Sequence, residues 1–275
     1  MTTARVAPPT RMRARRQTHR IRKVVLGVAG LLGFLATWQL IPALGIVDPR
    51  FLPPASEVLA QLGHQFVDLE FWRNVGRTLT TWGIGLLIAT VAAVALGTVV
   101  GLVPYLRRLT HTTVEFLRPI PSVALIPLAI LLFGFQVPAA LLIVVYASFW
   151  QVFVQVLYGV ADVDTVARDT ARSFGLTRAE RFRELVLPTA LPYIMTGLRL
   201  AAAVALILTV TAELLIGIPG IGRVIVFARS AGDVTTVYVY VVVAGLLGLI
   251  VNLVFRVIER RALFWHQSVR GEDAA

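Results

Sequence analysis

Asp162–Pro188 reads DVDTVARDTARSFGLTRAERFRELVLP, a long polar interruption in a very apolar chain. Val166, Thr170 and Phe174, with Ala167 and Ala171 beside them, recur at helical spacing and predict one narrow buried face. Arg168 and Arg172 fall on the other side, and Asp164 stands four residues before Arg168, as a helical ion pair requires. Gly175 follows as a helix-ending residue that tolerates left-handed geometry. Thr177 with Glu180 is a capping-box signature for a second short helix. Pro188 and Pro192 are expected to end that helix and start the next apolar run. The stretch is therefore helix, sharp glycine turn, helix, with five Arg against five acidic residues.

Apolar runs flank it on both sides. Downstream, a span is expected from about Leu191 to Ile216 and another over Tyr238–Phe255, joined by an outer loop with Ile218-Pro-Gly220-Ile-Gly222. Arg199 lies about two turns into the first of these, where it can snorkel to the interface. Upstream, Ala139–Tyr158 carries Tyr146, Ser148, Trp150, Gln151 and Gln155, polar groups that at membrane depth face protein or water. A third span is expected to open Arg118-Pro119-Ile-Pro121-Ser122 and run through Pro127 to Gly134, its prolines freeing backbone groups that need partners. Before it, Pro104–Arg118 reads as a short inner loop and Thr78–Val103 as a span. In that span Ala93, Gly97 and Gly101 stand four apart, a face that lets helix backbones approach.

Pro42–Val75 reads as a soluble connection in which Ser56 caps a short amphipathic helix, through Gln65, lying at the outer surface. Val24–Ile41 is long enough to cross the hydrocarbon core. A signal peptide cleaved near Ala43-Leu44-Gly45 is the rival reading; five further apolar runs favour an uncleaved first helix. Residues 1–23 hold eight basic and no acidic residues and are expected to lie disordered against anionic headgroups.

Composition agrees with a polytopic membrane protein. The 275 residues are 57% hydrophobic and 15% charged, with mean hydropathy +0.79. A net charge of +11 also suits nucleic acid, but the basic residues sit beside apolar runs instead of among aromatics, so no nucleic acid is expected. With no cysteine, disulfides, thiolate metal sites and Cys nucleophiles are excluded. Placing both termini, 104–118 and 159–190 inside puts twenty basic residues there, against five in 42–77 and 217–237.

The run Asp169-Thr170-Ala171, then Gly175, Leu185 and Leu187-Pro188, resembles the EAA loop of ABC-importer permeases, with Asp for Glu and Thr for Ala at its start. Leu52-Pro-Pro-Ala-Ser-Glu57-Val and RPIPSVALIPLAILLFGF are similar to stretches of the branch that imports sulfonates, taurine and nitrate. The resemblance implies an all-α integral membrane fold of about six transmembrane helices with both termini cytoplasmic. A cytoplasmic coupling-helix loop would join helices 4 and 5. The organisation would be a basic tail 1–23, a permease domain 24–257 with its coupling loop at 162–188, and a tail 258–275. It further implies a bacterial inner-membrane permease, two copies per transporter, served by two ABC ATPase subunits and an extracytoplasmic solute-binding protein. Asp169, Thr170, Ala171, Gly175, Leu185, Leu187 and Pro188 would dock the ATPase. Ser122, Tyr146, Gln151, Gln155, Thr209 and Glu213 are candidates for the path or a gate, with packing and interhelical hydrogen bonding as the alternative.

Glu213, the one acidic residue in any expected span, has three open readings: a hydrogen bond across helices, an outer gate with Arg223 or Arg229, or a substrate ligand. No ATP site is encoded, because the only lysine, Lys23, lacks the glycines of a phosphate loop. Neither a His-Glu-x-x-His nor a Gly-x-Ser-x-Gly motif occurs, so no catalytic residue, metal site or cofactor is expected. An ion-coupled transporter or channel is the alternative from another class.

Overall fold

The computed structural model describes residues 9–264. The described residues are 84% helical, and no strand occurs among them. The first helix, α1, runs Pro9–Ala43. The expectation of disorder over 1–23 is thus corrected from Pro9 onward, and residues 1–8 lie outside the described part. Pro9 at the helix start, followed by Arg, Met, Ala and Gln with no glycine before Gly27, favours helix. α2 spans Ala55–Gln65 and α3 Leu69–Leu102, the latter about 51 Å of helix by its rise and longer than the bilayer core.

After α3 the expected inner loop is itself a helix, α4, Pro104–Leu117. The expected third span is shorter than its apolar run: a 3-10 turn, Ser122–Leu125, leads into α5, Ile126–Phe133. α4 and this pair meet at 83°, so they form one sharply bent element instead of a loop and a straight helix. The cause is Pro119 and Pro121, which remove two N–H donors between the pieces. Among the described residues five helices are long and apolar enough to cross a membrane, or up to six if the bent pair is one span.

The rest of the chain runs as α6, Val137–Ala161, then α7, Thr165–Ser173, and α8, Arg178–Arg181. A π turn, Phe182–Val186, continues into α9, Leu187–Ile216, followed by α10, Ile221–Ser230, and α11, Val234–Ala262. Pro188 and Pro192 do not break this rod. Pro188 sits in the first turn of α9, and the Leu187 N–H reaches back five residues to the Phe182 carbonyl. The π turn thus absorbs the missing proline donor.

The core is built on α6, which is sandwiched between α3 and α9. The four-residue stripe of α3 is the reason it fits. A Cβ at Gly85 would meet Val144 Cγ1 at 2.6 Å, one at Gly97 would meet Val156 Cγ1 at 2.9 Å, and one at Gly101 would meet Val160 at 3.0 Å. From the other side Gly159 of α6 lies against the Ala190 backbone of α9. Trp82 Nε1 donates to the Ala202 carbonyl at 2.9 Å, tying α3 to α9 directly.

A second core cluster holds α2 in place: Val58 and Leu62 pack with Phe71, Ile221 and Val239. α2 is thus amphipathic as expected, one face packed in this cluster and the other exposed. Its polar side is bonded to α11, Gln61 to Thr236 at 2.7 Å and Glu57 to Thr235 at 2.8 Å. Ser56 is not its cap: Pro54 holds that position, and the Ser56 N–H donates to Gln39 Oε1 of α1 at 3.0 Å.

Candidate functional site

Two places stand out, at opposite ends of α9, about 39 Å apart along its axis from Leu187 to Glu213. At the first, the polar stretch folds by local chemistry that its sequence spells out. Asp164 caps α7, its Oδ1 accepting the Val166 N–H at 2.8 Å, so its carboxylate serves the helix start instead of the expected pair with Arg168. The ion pair in this helix is Arg172 with Asp169, at 3.5 Å. Gly175 takes φ +74°; Leu176 N–H reaches the Ala171 carbonyl and Gly175 N–H the Arg172 carbonyl, a Schellman ending. Thr177 and Glu180 then form the reciprocal capping box of α8, in which the Thr177 N–H and hydroxyl hold the Glu180 carboxyl below the usual carboxylate range. Tyr193 of α9 donates to Asp162 at 2.9 Å and fixes the entry to the loop.

The expected buried face of α7 is not buried. Val166 is 70% and Phe174 81% exposed, and Thr170 is exposed with them. A capped helix thus presents an apolar stripe outward, with Asp169 exposed at its side. Ala171 and Leu185 are half-buried, while Leu187 and Pro188 are exposed where the rod begins. The docking candidates therefore spread over the loop and its exit, held in one geometry by caps and the glycine turn.

At the other end, Glu213 is fully buried, and its Oε2 accepts the Gly222 N–H at 2.8 Å. The neighbouring Ile221 N–H donates to Thr78 Oγ1 of α3 at 3.0 Å. Two free N–H groups at the start of α10 are thus taken by side chains from α9 and α3, where the positive helix end favours an anion. The approach is close enough to need glycine: a Cβ at Gly220 would strike the Glu213 carboxylate, and one at Gly222 would lie 2.5 Å from the Val210 carbonyl. Arg223, one of the expected gate partners, sits 5.1 Å over the Phe227 ring, and no ion pair links Glu213 to an arginine among the described residues. Thr78 escaped sequence reading because one hydroxyl, 143 residues away, carries no pattern.

The other path candidates divide. The Tyr146 hydroxyl donates to the Leu117 carbonyl across the bend, and Thr209 is buried with its hydroxyl on the Ala205 carbonyl one turn back. Gln151 and Gln155 are half-buried on α6, with Gln155 against Gly197 of α9. Ser122 is half-buried at the start of the 3-10 turn, and Ser148 is buried with no hydrogen-bond partner among the described residues. Arg199 does not snorkel freely; it pairs with Glu259 of α11 at 3.0 Å.

A family model described as "Binding-protein-dependent transport system inner membrane component" matches residues 85–263. The taurine transport system permease protein TauC of Escherichia coli (strain K12) is 32% identical over 257 residues, covering 90% of this chain and 92% of that one. The bicarbonate transport system permease protein CmpB of Synechococcus elongatus is 29% identical, covering 83% and 86%. The nitrate import permease protein NrtB of Leptolyngbya laminosa is 29% identical, covering 70% and 69%. Among solved structures, a chain of the MetNI methionine ABC transporter in an inward-facing conformation superposes with TM-score 0.61 at 18% identity, over 70% of this chain and 96% of that one.

Proposed function

The chain belongs to the family of binding-protein-dependent transport system inner membrane components, and from that premise we propose which solute it passes, how it is oriented and which residues couple it to ATP. It is a multi-pass inner-membrane permease subunit of an ABC importer. The solute is a small anion or zwitterion of the taurine, sulfonate, bicarbonate and nitrate kind, as the names of its relatives suggest. Two copies form the path, with two ATPase subunits on the cytoplasmic side and a solute receptor outside. Both termini and the Asp162–Pro188 loop face the cytoplasm, a reading supported by the excess of basic residues on that side.

The observation that carries the coupling role is the exposed Val166–Thr170–Phe174 stripe on a helix capped at one end and turned by Gly175 at the other. An isolated chain gains nothing by leaving such a stripe in water, whereas a cleft in a partner would bury it. Asp169, Thr170, Ala171 and Gly175 shape the inserted piece, and Leu185, Leu187 and Pro188 join it rigidly to α9. ATP closing the motor dimer would then move the loop, and α9 would carry that motion to the Glu213 lock at the outer end as a population shift. The test is uptake of labelled taurine into vesicles holding the permease, its ATPase and a loaded receptor. Uptake without the ATPase, driven by an ion gradient, would overturn the proposal.

A further inference from the structure

Beside the docking stripe lies a cavity of about 780 Å³ that the coupling role leaves unused. It sits where α3 and α6 end and α9 begins. Five arginines line it, Arg107 of α4, Arg168 and Arg172 of α7, and Arg178 and Arg181 of α8, with no acidic residue in the lining. Only Arg172 of the five has a carboxylate within 4.0 Å among the described residues, and Arg181 Nε is buried with no hydrogen-bond partner there. Guanidinium groups crowded this way repel one another unless an anion sits among them, and their flat forks match phosphate oxygens two at a time.

The remaining wall is apolar, formed by Leu102, Val160, Phe182 and Leu185. Leu102 and Val103, at its rim, are 43% and 40% exposed at the end of a membrane helix. A charged bowl with an apolar lip at that depth suits a molecule that is phosphate at one end and hydrocarbon at the other. The arginines also point away from the docking stripe: two residues along a helix is about 200°, so Arg168 and Arg172 lie opposite Val166 and Thr170. We propose that this cavity holds the phosphate headgroup of an anionic phospholipid of the inner leaflet, its acyl chains leaving over Leu102 and Val103. The proposal rests on the cytoplasmic placement of the loop argued above, and adds a lipid ligand to it.

The test uses the permease–ATPase complex in nanodiscs of phosphatidylcholine with or without phosphatidylglycerol, read by native mass spectrometry for retained lipid. Wild type is expected to retain phosphatidylglycerol selectively. Arg168→Gln with Arg181→Gln should lose at least about tenfold of that retention, and Arg178→Gln alone should lose part of it. Arg183→Gln, an exposed arginine of the same loop outside the cavity, should match wild type. Equal retention in the double variant overturns the proposal. So does displacement of the lipid by millimolar inorganic phosphate, which would assign a soluble phosphate ligand. Loss of the ATPase from the double variant in pure phosphatidylcholine would assign the arginines to the protein partner instead. Failure of the docking reading is separate: it would show as a Gly175→Val variant that still binds the ATPase, with lipid retention unchanged.

Discussion

Glu213 shows how much one side chain can decide. Fully buried, its carboxylate is held in place by an N–H and the positive helix end at the start of α10. Glu213→Gln keeps an oxygen for the Gly222 N–H and is expected to insert and assemble normally, with altered coupling of ATP hydrolysis to loaded receptor. Glu213→Leu strands that N–H and should cost about 1–3 kcal/mol. Gly222→Ala should cost at least as much, since its Cβ meets backbone that cannot turn aside. Thermal unfolding in detergent orders the variants: Gln near wild type, Leu and Gly222→Ala clearly below it. A Leu variant as stable as wild type would remove the lock. The sequence marked Glu213 as odd, but its partner is a glycine N–H, which has no side-chain signature. The nearby arginines were the visible candidates, and Arg223 is engaged with Phe227 instead.

At the scale of elements, the sequence was most informative where the code is local. The Thr177–Glu180 box, the Gly175 turn and the small stripe of α3 are contacts between near neighbours or along one helix face, and each is found as read. Reading failed where a partner decides the outcome. The α7 stripe looks like core by spacing, yet the described residues offer nothing to cover it. The α4–α5 bend failed for another reason: an apolar run gives length but not direction, and two prolines turned it. Substitutions at two positions probe these elements. Among the described residues nothing lies within 4 Å of a Cβ at Gly175, so within this chain a side chain there acts through the backbone, and the Asn variant controls for its bulk against the partner. Gly175→Asn, which tolerates a left-handed φ, should keep ATPase co-purification, while Gly175→Val should insert but lose it. Gly97→Leu attacks packing instead, forcing Val156 and Phe153 aside; a loss of about 1–3 kcal/mol and a shorter lifetime in detergent are expected.

For the whole molecule the decisive quantity is direction across the membrane, since every role assigned to the loop depends on it. The charge excess sets a sign, and that sign is testable at two exposed positions expected on opposite sides of the bilayer if the bent pair is a span. Ser173 ends α7, and its hydroxyl donates to the Asp169 carbonyl one turn back; Ser56 sits in the first turn of α2, where its backbone N–H donates to Gln39 and its side chain is exposed. Neither side chain supports a core, so cysteine at either should leave the fold intact, and the native chain has no cysteine to give background. Ser173→Cys should react with an impermeant maleimide in inside-out vesicles and stay unlabelled in right-side-out ones. Ser56→Cys should do the reverse. Adding the ATPase should then slow labelling of Ser173→Cys, because the residue lies within a turn of the stripe that the partner is expected to cover. Reversed labelling would put the loop on the side without ATP and remove both the coupling role and the lipid site. Correct sidedness with no protection by the ATPase would keep the orientation and move the docking surface elsewhere on the cytoplasmic face.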